Sequence, residues 1–207
     1  AALADAMKAE YETIVASGLD LQLDCPDLAL ARHMLFTDLS DDDFIKVANL
    51  HVEALNHALE NIPAEKVRLH ICWGNYEGPH THDIDLSRII DTVLRAKPQA
   101  ILFENANPRH AHEWTLFESV KLPEGKVLIP GVLESKSNFI EHPELIAQRI
   151  GRYAQLVGRE NVMAGTDCGF AQSPFAKRVH ESIMWAKLRS LTEGARLAST
   201  RLYRNAG

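Results

Sequence analysis

Val67-Arg68-Leu69-His70-Ile71-Cys72-Trp73-Gly74 decides the fold reading. Val67 to Cys72 reads as a strand, and a long polar loop and a helix near 86–97 follow it. Side chains two apart on a strand share a face, so His70 and Cys72 point the same way at its C-terminal end. On either side the same alternation recurs. Residues 3–17 read as an amphipathic helix (Leu3, Met7, Tyr11, Ile14, Val15) stopped by Gly18. Leu19 to Leu23 is a strand ending at Asp24-Cys25-Pro26, and Ser40-Asp41-Asp42-Asp43 caps a helix over 44–60. Ala100 to Phe103 is a strand ending at Glu104 and followed by a helix at 110–119. Val127 to Val132 precedes a helix from Pro143 to Val157, with His142 as cap or staple and Pro143 well placed at the first helical position. Val162 to Gly165 is the last strand, before a long helix over about 179–199.

Five strands each followed by a helix predict a parallel sheet with helical crossovers. A doubly wound sheet would announce itself with a glycine-rich turn, and neither GxGxxG nor GxxxxGK[ST] occurs. A (β/α)8 TIM barrel instead collects reactive residues where its strands end. Here those positions hold Asp24-Cys25, His70 and Cys72, Glu104, Glu134 and Lys136, and Asp167-Cys168. The α/β barrel is therefore the expected class, with residues 1–207 forming a single domain, since no linker or low-complexity segment divides them. A barrel of this kind takes about 250 residues and eight strands. The 207 residues supply five, and the chain opens in a helical pattern without an initiator Met. The sequence thus reads as the C-terminal five βα units of a larger barrel. Either the missing N-terminal part or another copy of the chain is expected to cover the open strand edges.

Composition narrows the function classes. With 46% apolar and 24% charged residues and a net charge of −6, the chain is an ordinary globular sequence lacking the basic face that nucleic acid or an anionic membrane requires. No run approaches 18 apolar residues. Three cysteines are too few for a secreted disulfide framework and fit a reducing, cytoplasmic setting.

His-x-Cys by itself is a weak signal, because a buried cysteine in an α/β core is usually packing. The convergence of His70, Cys72, Glu104 and Cys168 at strand ends makes a tetrahedral site for a borderline metal the competing reading. Cys25 reads as a small buried residue and not a fifth ligand. His110 and His112 read as surface groups at a helix start.

The stretches Leu69-His70-Ile71-Cys72-Trp73-Gly74-Asn75, Phe103-Glu104-Asn105-Ala106-Asn107, Gly131-Val132-Leu133-Glu134 and Gly165-Thr166-Asp167-Cys168-Gly169-Phe170 resemble the catalytic barrel of cobalamin-independent methionine synthase. The likeness extends from about Leu19 to the final helix and is nearest to the short, single-barrel branch that includes the epoxyalkane:coenzyme M transferases. The resemblance implies one Zn²⁺ held by His70, Cys72, Glu104 and Cys168. It implies a zinc-dependent S-methyl- or alkyltransferase in methionine biosynthesis that activates a small, homocysteine-like thiol against a methyl or alkyl donor, on the pattern of the 5-methyltetrahydropteroyltriglutamate-homocysteine enzymes. Asp24 aligns with a strand-end Asp that contacts the amino group of homocysteine, although the family's Asp-Glu-Pro is Asp24-Cys25-Pro26 here. Asn75, the loop residues His80 and His82, and Arg109 fall on the substrate side, Arg109 as a partner for an anionic tail. Glu134 and Lys136 stand where methionine synthase has Asp-x-His. A lysine is a poor proton donor near neutrality, which weakens the case for a folate donor. The alternatives are epoxyalkane:coenzyme M-type thiol alkylation, a uroporphyrinogen decarboxylase-like barrel, and a non-catalytic zinc-binding module.

Overall fold

The computed structural model describes residues 2–171, 175 and 178–204. Five strands, β1 (Leu21–Asp24), β2 (Val67–Ile71), β3 (Ala100–Phe103), β4 (Val127–Leu133) and β5 (Gly165–Thr166), follow one another in the order β1-β2-β3-β4-β5. The helices are α1 (Ala2–Ala16), α2 (Leu30–Met34), α3 (Asp41–Ala58), α4 (Leu86–Leu94), α5 (Pro143–Val157) and α6 (Glu181–Arg204). Sequential parallel strands with helical crossovers are the βα repeat of a (β/α)8 barrel, so the fold class read from the sequence is the observed one. The chain divides into two compact units, Ala1–Gly74 with Pro79–Ile101, and Asn75–Gly78 with Leu102–Gly207.

In the first unit β1 pairs in parallel with β2, in register from Leu21 opposite Val67 to Asp24 opposite His70. Leu21 and Leu23 are buried while Gln22 and Asp24 are exposed. The buried pair packs with Val67, Leu59 and Ile62 against Tyr11, Ile14 and Val15 of α1. Cys25 joins that apolar cluster, as expected of a small packing residue. Ser40 caps α3 by accepting a hydrogen bond from the Asp43 amide at 3.1 Å, and three aspartates follow in the first turn, where the positive end of the helix dipole favours them. Phe44, Ala48, Val52 and Ala58 then form the buried face of α3.

In the second unit β4 pairs in parallel with β5 through Gly131–Gly165 and Leu133–Thr166, with a register shift between them. The strand expected at 162–165 is instead Gly165–Thr166, preceded by an isolated bridge from Val162 to Leu128. Val132, Leu133, Ile146, Ala147, Ile150 and Ala198 form the core between β4, α5 and α6. Gly194 lets the two helices approach: a methyl group there would stand 2.5 Å from Ile146 Cγ2. His142 caps α5, its ring nitrogen accepting from the Glu144 amide at 3.1 Å ahead of Pro143. The helix expected at 110–119 is instead a 3-10 helix over Glu113–Glu118. Its Phe117 sits in a cluster with Phe103 and Tyr153 at ring separations of 5.6–6.0 Å. His110, expected on the surface, is buried and bonds Glu113 Oε2 at 2.9 Å, whereas His112 is exposed. No helix among the described residues is long and apolar enough to cross a membrane.

Candidate functional site

The β1–β2 register brings Asp24 beside His70 in the first unit. Asp24 Oδ1 lies 2.9 Å from His70 Nδ1, and the imidazole is buried while the carboxylate remains solvent-accessible. A carboxylate on one ring nitrogen fixes the tautomer and leaves the other as a basic donor. Cys72 follows directly after β2. Its sulfur accepts a hydrogen bond from the Gly74 amide at 3.2 Å. Gly74 has φ +106°, a backbone conformation that other residues rarely adopt, and a methyl group there would stand 2.9 Å from Leu30 Cδ1. The Trp73 indole fills the core and donates to the Ile84 carbonyl at 2.7 Å, anchoring the loop that carries His80 and His82. Within that loop His80 stacks on His33 at 4.9 Å and its Nδ1 meets Asp83 Oδ1 at 3.0 Å, while the His82 amide donates to His33 Nδ1. Cys25, by contrast, has its thiol pushed up to about 12 by burial, with Asp27 and Asp24 adding to the effect. It is a poor source of thiolate.

In the second unit Asp167 organises the residues around Cys168. Fully buried, it accepts from the amides of Asn105 and Ala106 on Oδ1, and from the Asn107 amide and side chain on Oδ2, all at 2.8–2.9 Å. Burial pushes its carboxyl up to about 6; the Ala106 and Asn105 amides oppose that shift and the nearby Glu104 adds to it. Gly131 is required for this arrangement, since a methyl group there would stand 2.0 Å from Asp167 Oδ1. Beside the hub, fully buried Glu104 has two differently engaged oxygens. Oε2 takes Asn107 Nδ2 at 2.8 Å, Lys136 Nζ at 2.8 Å and Arg109 Nη2 at 3.4 Å. Oε1 faces the Cys168 thiol at 3.9 Å. Lys136 and Arg109 are thus both committed to this carboxylate. Glu134 holds the Lys136 backbone, its two oxygens accepting from the amides of Lys136 at 2.6 Å and Ser137 at 2.5 Å. Asn75 bridges the Gly169 carbonyl and the Ser135 hydroxyl, at 2.5 and 3.3 Å.

Donors suited to a metal ion are buried in each unit, His70 and Cys72 in the first and Cys168 in the second. Imidazole and thiol donors suit zinc. The residues that sequence reasoning missed are the supporting ones: His33, Asn107, and the pair Glu141–Lys187 behind Glu134. Only Asp167 stood out beforehand, as a strand-end acid.

The fold is that of the B12-independent methionine synthase from Shewanella sp. W3-18-1, solved in complex with selenomethionine. The TM-score is 0.73 at 20% identity, over 98% of this chain and 55% of that one. In sequence the chain is 24% identical over 149 residues to the uncharacterized protein YxjG of Bacillus subtilis, covering 72% of this chain and 39% of that protein. It is 23% identical to 2-hydroxypropyl-CoM lyase of Xanthobacter autotrophicus, over 73% of this chain and 45% of the relative. The chain therefore spans less than half the length of these curated relatives. No protein-family model matches it. Homology to the cobalamin-independent methionine synthase and epoxyalkane:coenzyme M transferase-like barrels, read first from the strand-end motifs, is borne out at the level of a shared, partial barrel.

Proposed function

We propose that the chain carries the metal-binding, thiol-activating part of a zinc-dependent S-methyl- or S-alkyltransferase. What supports this reading is that the zinc-type donors His70 and Cys72 are buried at the end of β2 and a third, Cys168, is buried beside Glu104. His70, Cys72 and Cys168 would hold the ion, with Glu104 contributing Oε1 as a fourth, weaker donor. A zinc ion in such a sulfur-rich site lowers the pKa of a substrate thiol, so that its sulfur is a nucleophile near neutral pH.

The chain's own residues supply the rest. Asp24 orients the His70 ring, and its exposed side is open to the ammonium of an amino-acid thiol such as homocysteine. The Gly74 amide steadies the Cys72 sulfur. Asp167 fixes the loop from Asn105 to Asn107 and with it Glu104. His80 and His82 border the substrate side from their loop. Lys136 stands where methionine synthase places a proton-donating histidine, yet its ammonium is buried against Glu104. That commitment favours an electrophile whose leaving group needs no proton from this position. The similarity to 2-hydroxypropyl-CoM lyase supports a second reading, alkylation of a short thiol of the coenzyme M type.

The test is zinc quantitation on the purified chain, followed by Co²⁺ substitution and titration with homocysteine and with coenzyme M. Bound metal whose absorption bands change on adding one of the thiols supports the function, and the thiol that works separates the two readings. Bands that ignore both thiols would assign a closed, structural site.

A further inference from the structure

The second unit buries a lysine that the proposed chemistry does not call for. Lys136 Nζ lies 2.8 Å from Glu104 Oε2, with the two side chains 4% and 0% exposed. Burying both charges carries a desolvation penalty, and such pairs are often no more stable than apolar replacements. The pair is nevertheless well supported. Glu134 grips the backbone of Lys136 and Ser137 with both oxygens. The Glu134 amide donates to Glu141 Oε1 at 2.9 Å, and Glu141 Oε2 meets Lys187 Nζ at 2.6 Å. Lys187 comes from α6 and is itself fully buried. A continuous run of hydrogen bonds therefore leads from the last helix to Glu104. It ends on Oε2, whereas Oε1 is the oxygen that lies 3.9 Å from the Cys168 thiol.

A carboxylate whose charge is drawn to a cation on one oxygen is a weaker donor through the other. We propose that Lys136 is a positioning residue: by holding Oε2 of Glu104 in a buried ion pair, it keeps this carboxylate the weakest donor of the site and the one an incoming thiol replaces. The inference rests on the zinc reading above. It gives the lysine a task different from proton transfer, which explains why a residue unsuited to donating protons occupies the position. Arg109, at 3.4 Å from the same oxygen, reinforces the effect from the partly exposed side.

The test uses the Co²⁺-loaded 207-residue chain as wild type, Lys136→Met, Lys136→Gln and Lys136→Arg. It reads the rate of metal loss to a chelator and the homocysteine concentration at which the visible bands change. Without the ammonium, Glu104 binds more firmly: metal loss slows and the thiol midpoint rises, each by about tenfold, the usual scale of outer-shell effects on a metal. Lys136→Arg keeps the charge and stays near wild type. Lys136→Gln keeps the polar contact without the charge, so it behaves like Lys136→Met and gives the answer if the methionine variant does not fold. Neutral variants that lose metal and respond to thiol like wild type would overturn the inference alone. A wild-type chain that takes up no metal would overturn the zinc reading and this inference with it.

Discussion

Asp24 Oδ1 and His70 Nδ1 lie 2.9 Å apart because the parallel register of β1 and β2 sets these two residues opposite each other. One backbone alignment thus fixes the orientation of the proposed imidazole ligand. Asp24→Asn is expected to leave the fold intact, as judged by circular dichroism, and to weaken metal affinity about 10-fold or more. An effect confined to the KM for the thiol, with metal affinity unchanged, would make Asp24 a substrate contact only.

The three cysteines should separate cleanly. Cys25 packs in the apolar cluster beside α1 and its thiol is pushed up to about 12. Cys25→Ala is therefore expected to keep full zinc content. Its thiol should also resist iodoacetamide at pH 8 in the folded chain, which peptide mapping checks.

Gly131 is expected to be irreplaceable. A methyl group at this position would collide with Asp167 Oδ1 and stand 2.8 Å from the Asp167 Cα, so neither a rotamer change nor a small shift relieves it. Gly131→Ala should lower stability by about 1–3 kcal/mol in urea unfolding, the range of overpacked cores. It should also loosen the loop from Asn105 to Asn107, seen as faster amide exchange at those three positions.

Much of the architecture was legible because it is local. Caps such as Ser40 and His142, and the helix stop at Gly18, are decided within a few residues, and the strand-end positions of His70, Cys72, Glu104 and Cys168 follow from the alternation of strands and helices. What sequence could not show is decided by pairing. β5 lies at Gly165–Thr166, where it pairs with β4 across a register shift, and the segment after His110 tightens into a 3-10 helix over Glu113–Glu118. The supporting polar network was equally hidden. Lys136 meets a carboxylate 32 positions away and Asp167 captures amides about 60 positions away, separations with no periodic signature. His110 looked like a surface group because its partner Glu113 is an unremarkable acid until both are buried.

Stability should rise with pH above neutrality through Lys126. Partial burial lowers its pKa from the usual 10.5 to about 8. Between those values the unfolded chain holds a proton that the folded chain has released, so stability increases with pH across that window. Below about pH 8 both states are protonated and the folded state carries the full cost of the half-buried ammonium. Lys126→Met should remove this contribution to the slope of denaturant midpoint against pH from 8 to 10.5, and an unchanged slope would show that the lysine is solvated.

The most direct test of a zinc-held thiol site is the zinc content of the wild-type chain compared with Cys168→Ser, measured by atomic emission after extensive dialysis. About one zinc per wild-type chain is expected, with loss of nearly all of it in a variant that remains folded, since removing one thiolate from a sulfur-rich site takes away a principal donor. Full zinc occupancy in Cys168→Ser, or none in the wild type, would contradict the zinc reading.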